Sequence, residues 1–118
     1  MEKKRILLVD DEESIQLLYR EEFEEEGYAV DSARNGTEAL AKFMENPPDL
    51  VLLDINMPGL NGIEVLRKMK EMRATLPIIL NSAYQEYKQD FGSWASEAYV
   101  VKSANMDELK ATVRKYIG

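Results

Sequence analysis

The 118-residue sequence contains no cysteine and no histidine. Without cysteine there are no disulfides, no thiolate nucleophile and no thiolate ligand for a soft metal. Without histidine the commonest general base and nitrogen ligand is gone, which argues against zinc or copper. Long apolar runs are missing too: none approaches the ~18 residues that cross a bilayer, so no membrane role is expected. The basic start, Met1 to Arg5, is followed by only four apolar residues before Asp10, too few for a secretory signal, and the expected location is cytoplasmic. Positive charge is in deficit, with 15 basic against 22 acidic residues and a net charge of -7. That balance repels a phosphate backbone, so direct nucleic-acid binding is not expected and any DNA contact would need another domain.

What remains is ordinary globular material, 45% apolar and 31% charged, enough for one domain spanning residues 1-118 with a single sizeable core. Short apolar runs recur at Ile6 to Val9, Tyr28 to Ala33, Leu50 to Leu53, Leu76 to Leu80 and Ala98 to Val101. The first, third and fourth are apolar on both faces, as parallel strands covered on both sides require. Between them, Ile15, Leu18, Tyr19 and Phe23 fall at helical spacing, with Gly27 placed to end the helix. Ala39, Leu40 and Phe43 mark a second helix stopped by Pro47-Pro48, and Ile63, Leu66, Met69 and Met72 a third. Tyr84 to Ser93 is a weaker helical segment, and Leu109, Val113 and Ile117 line a last one. Five strands alternating with five helices predict a doubly wound α/β domain.

In such a sheet the site lies beyond the carboxyl ends of the strands. Asp10-Asp11 follow the first strand, Asp54 the third, Asn81-Ser82 the fourth and Lys102 the fifth. Singly, each has a structural explanation: acids favouring a helix N-terminus, an aspartate opening a turn, a serine cap, a solvated lysine. Together they are harder to explain. Carboxylates about 4 Å apart repel by ~1 kcal/mol in water and ~4 kcal/mol at an effective dielectric of 20, a cost that capping does not require. On that ground Asp10→Ala or Asp11→Ala is expected to stabilise the metal-free chain. A hard divalent cation, Mg²⁺, is the natural compensation. A cation, a spare carboxylate, a hydroxyl and a lysine at one place suit phosphoryl transfer, with Asp54 as nucleophile.

These residues resemble the receiver domain of two-component response regulators. The resemblance is carried, in order along nearly the whole chain, by Val9-Asp10-Asp11, Leu53-Asp54 with Met57-Pro58-Gly59 and Gly62, Ser82-Ala83, and Tyr99 three residues before Lys102. It implies a flavodoxin-like sheet of order 2-1-3-4-5. It also implies that Asp54 takes a phosphoryl group from a histidine kinase or phosphotransfer protein, and that Asp10, Asp11, Asp54 and the main-chain carbonyl of Asn56 hold Mg²⁺. Lys102 would pair with Asp54 and then with a phosphoryl oxygen, while Ser82 and Tyr99 would act as the switch pair. Such a protein catalyses only its own phosphorylation and dephosphorylation. It signals through the surface around the fourth helix and fifth strand to a downstream protein or an attached output domain.

The chain departs from the family pattern at Ser103, where proline is usual, in the shortened stretch from Ser82 to Lys102, and at Ala95-Ser96-Glu97. A cis bond before serine costs roughly 2.5 to 4 kcal/mol, so Lys102-Ser103 is expected to be trans, on a displaced loop. Tyr84, Tyr87, Phe91 and Trp94 fit either the packed face of a helix or an aromatic partner surface. Two other functions compete: a haloacid-dehalogenase-type phosphatase, disfavoured by Asp10-Asp11-Glu12-Glu13 and the lack of room for a cap domain, and a phosphorylation-independent interaction module.

Overall fold

The alternation along the apolar runs decides how the chain folds. The computed structural model describes residues 3–54, 62–82, 98–103 and 105–118. Strands β1 (Arg5–Val9), β2 (Ala29–Ala33), β3 (Leu50–Leu53), β4 (Ile78–Ser82) and β5 (Ala98–Val101) form one parallel sheet in the order β2-β1-β3-β4-β5. Helices α1 (Glu13–Glu25), α2 (Gly36–Glu45), α3 (Gly62–Met72) and α4 (Asp107–Ile117) cover it. Four helices are therefore described where five were expected. The one placed at 84–93 lies outside the described residues, as do Asn56 and the aromatic set from Tyr84 to Trp94.

Successive strand residues point to opposite faces, and both faces are buried. Leu7, Val9, Val51, Leu53, Ile78 and Leu80 pack with Phe43 of α2 and Leu66 and Met69 of α3. Ile6, Leu8, Leu50, Leu52 and Ile79 pack with Tyr19 and Phe23 of α1 and with Leu109 and Val113 of α4. The runs without polar alternation in β1, β3 and β4 are thus the price of being sandwiched between two helix layers. Tyr99 faces the α2–α3 layer and is buried.

Local chemistry fixes the ends. Gly27 takes φ +98°, its N–H donates to the Glu24 carbonyl, and the Tyr28 N–H donates to the Phe23 carbonyl. This is the Schellman termination, completed by the Phe23 and Tyr28 rings 6.1 Å apart. Asn35 begins α2 by accepting the Glu38 N–H at 2.8 Å. Strand β4 starts two residues later than Leu76 and ends two later than Leu80. Pro77 has no N–H for the ladder, whereas Asn81 and Ser82 pair with Val100 and Val101 of β5. Among the described residues every peptide bond is trans, Lys102–Ser103 included.

Candidate functional site

The sheet's hydrogen bonding continues one residue past the strands and so aims the site. The Asp10 N–H donates to the Ala33 carbonyl at 3.0 Å, the Asp54 N–H to the Val9 carbonyl at 2.9 Å and the Lys102 N–H to the Ser82 carbonyl at 2.6 Å. Because β1 and β3 are neighbours while α1 and α3 lie on opposite faces, the chain parts at this edge and leaves the crevice that doubly wound sheets use.

Three acids and the lysine converge there. Asp10 and Asp54 are buried at 2% and 4% residual exposure, Asp11 is exposed, and carboxylate oxygens of the three lie within 4.8 Å of one another. Lys102 Nζ sits 2.8 Å from Asp10 Oδ2, 3.4 Å from Asp54 Oδ2 and 3.4 Å from Glu12 Oε1. Burial is the strongest single influence on the Lys102 ammonium and works against its charge. The hydrogen bond to Asp10 and the charges of Asp10, Asp54 and Glu12 outweigh it, so its pKa stays above the ordinary 10.5. One ammonium thus faces three carboxylates, and Asp11 adds a fourth acid at the same edge. The residual negative charge and the all-oxygen donor set fit a small hard divalent cation.

The two residues that end β4 have different surroundings. Ser82 is fully buried at the end of β4, on the same side as Leu80 by the alternation of the strand. Asn81 is engaged by α1: its Nδ2 donates to the Tyr19 hydroxyl at 3.1 Å, and its Oδ1 is buried without a hydrogen-bond partner among the described residues. Burial raises the Tyr19 phenol, the Asn81 bond lowers it by less, and the net shift is upward. Asn81 therefore belongs to the seam between β4 and α1.

Two residues near the acids had not stood out. Glu12 approaches Lys102 from the start of α1. Gln16 Nε2 donates to the carbonyls of Asp10 at 2.7 Å and Ala33 at 3.0 Å. A signal for Gln16 was available, a polar residue three before Tyr19 and seven before Phe23, on the stripe of α1 that faces the sheet.

Comparison with known proteins agrees with this geometry. The sequence model described as the response regulator receiver domain matches residues 6–114. Sporulation initiation phosphotransferase F of Bacillus subtilis is 37% identical, over 99% of this chain and 96% of that protein. The response regulator protein TrrA of Thermotoga maritima, crystallised in complex with Mg(2+)-BeF, is 52% identical with a TM-score of 0.91, covering 96% of this chain and 98% of that one. A chain in the crystal structure of histidine kinase ThkA in complex with TrrA is 51% identical with a TM-score of 0.90, covering 98% and 99%. Two further relatives, transcriptional regulatory proteins of B. subtilis, are longer, and the chain spans 46% and 51% of them. A match over nearly the whole sequence, with the strand-end acids and lysine drawn into one crevice, means that this chain belongs to the response regulator receiver domain family.

Proposed function

We propose that residues 1–118 act as one cytoplasmic receiver whose Asp54 accepts a phosphoryl group from a histidine kinase or a phosphotransfer protein. The observation that carries this reading is the buried Asp54 carboxylate, held beside Asp10 and 3.4 Å from the Lys102 ammonium at the sheet edge. The solved relatives support it, since one is a complex with Mg(2+)-BeF and another a complex with a histidine kinase.

The chemistry follows from the charges. A carboxylate oxygen of Asp54 attacks phosphorus, the bond to the donor's leaving atom breaks, and an acyl phosphate forms. Both partners are anionic, so the barrier depends on cationic groups already in place. Lys102 needs only to shift from Asp54 Oδ2 to a phosphoryl oxygen. Asp10, Asp11, Asp54 and the Asn56 main-chain carbonyl would hold Mg²⁺, which when bound neutralises charge on the transferring oxygens. Ser82, at the adjoining strand end, supplies a hydroxyl that can turn to the new phosphoryl group, and Tyr99 on β5 answers that movement. The chain thereby promotes only its own phosphorylation and dephosphorylation. The signal leaves through the surface around β5 and the segment before it, toward a downstream protein or an attached output domain.

Incubation with acetyl phosphate and Mg²⁺ should add a single phosphoryl group by intact mass, absent with EDTA and absent in Asp54→Asn. Full modification of Asp54→Asn would overturn the assignment.

A further inference from the structure

Asp10 and Asp11 are adjacent, like-charged and on a turn, so their separation and direction depend on the peptide plane between them. A planar peptide moves as one body, and rotating it would swing the Asp11 carboxylate relative to that of Asp10. Mutual repulsion favours such a rotation. Several hydrogen bonds oppose it. The Glu12 N–H donates to Asp10 Oδ1 at 2.9 Å, and the Gln16 N–H donates to the Glu12 carbonyl at 3.1 Å. The third bond acts on the plane itself, since Gln16 Nε2 donates to the Asp10 carbonyl at 2.7 Å. The same nitrogen donates to the Ala33 carbonyl at 3.0 Å, which also accepts the Asp10 N–H. Both targets are carbonyl oxygens, which only accept, so the amide nitrogen of Gln16 and not its oxygen must face them.

We propose that Gln16 is a positioning residue for the cation site: its side-chain amide ties the Asp10–Asp11 peptide to the end of β2 and keeps both carboxylates in register for one ion. The inference rests on the Mg²⁺-dependent function proposed above. It assigns Gln16 no contact with the ion or with the phosphoryl group.

The test is calorimetric titration of Mg²⁺ into the whole chain, beside phosphorylation rates measured across Mg²⁺ concentration. Gln16→Met keeps the length of the side chain and removes the donor. Its Mg²⁺ affinity should fall about ten-fold, the low end of what losing a hydrogen bond behind a metal ligand costs. Its rate at saturating Mg²⁺ should stay within about two-fold of the unchanged chain, because a positioning loss shows in the half-saturating concentration. Gln16→Glu sharpens the test. It keeps the shape and adds negative charge near the cation, so charge alone predicts tighter Mg²⁺ binding, whereas a carboxylate turned on two carbonyls predicts weaker binding. Equal or tighter affinity in a folded Gln16→Glu, or an unchanged constant in Gln16→Met, would overturn the proposal. If the unchanged chain itself bound no Mg²⁺, the proposed function would fall and this inference with it.

Discussion

Replacing Lys102 by methionine tests how the site is held together before any cation arrives. The side chain is 11% exposed and its partners Asp10 and Asp54 are 3% and 6% exposed, so this pair is screened far less than a surface one. At the 2.8 Å separation from Asp10, unit charges attract by about 6 kcal/mol at an effective dielectric of 20, before desolvation is subtracted. Removing one member of a buried pair leaves the other uncompensated and costs roughly 3 to 5 kcal/mol. The crevice opens to solvent at Asp11 and Glu12, which favours the lower figure, about 3 kcal/mol. For a domain of this size that is roughly a 10 to 15 °C fall in Tm. The fall is expected in EDTA. With the ammonium gone, its competition for Asp10 and Asp54 is gone too, so Mg²⁺ should raise the Tm of Lys102→Met by more than it raises that of the unchanged chain. The pH dependence has a definite sign. The folded-state pKa of Lys102 is raised, so its stabilisation is fully present below the ordinary 10.5 and fades as pH rises through the folded value. The stability gap between the two proteins should therefore hold steady from neutral pH to about 9.5 and narrow only above 10.5. Scanning calorimetry with and without Mg²⁺ decides the matter. A variant that melts in EDTA within a degree or two of the parent, or an equal Mg²⁺ shift in both, would refute the reasoning.

Three further outcomes are expected. Asp11→Ala removes an exposed acid from the cluster and should stabilise the metal-free chain by a few tenths of a kcal/mol, up to about 1. Asp10→Ala should instead destabilise it in EDTA, because Asp10 holds both Lys102 and the Glu12 N–H; chemical denaturation of the two variants checks the opposite signs, and a more stable Asp10→Ala would mean that repulsion dominates after all. Tyr19→Phe strips the partner from the Asn81 amide and should cost about 1 to 3 kcal/mol, largely recovered in Tyr19→Phe/Asn81→Leu, where no buried polar group is left unpaired. No recovery in the double variant would contradict that account. Gly27→Ala has open space for its Cβ yet must adopt φ +98°, so a loss of about 1 kcal/mol is expected from the backbone alone, and a stabilised variant would count against it.

Some of this was determined by local sequence. The apolar runs at Ile6–Val9 and Leu50–Leu53 are strands because they are short, bounded and apolar on both faces, and those properties do not depend on what packs against them. Gly27 ends α1 because only glycine takes positive φ without strain. The acids and the lysine were legible as strand-end residues, since position along a strand is a matter of counting. What counting could not supply was direction and company. Asn81 and Ser82 are consecutive at the same strand end, yet the pleat leaves Ser82 on the side of Leu80 and brings the Asn81 amide to Tyr19 of α1. Asp10 looked like one of three repelling carboxylates; across 92 residues of chain Lys102 makes it the anchor of an ion pair. Gln16 and Glu12 are unremarkable in a charged helix and acquire meaning only where that helix starts beside the ends of β1 and β2. Electrostatic and hydrogen-bond energies fall off over a few ångströms, so which polar residues matter to one another was decided when the sheet brought them that close, and not before.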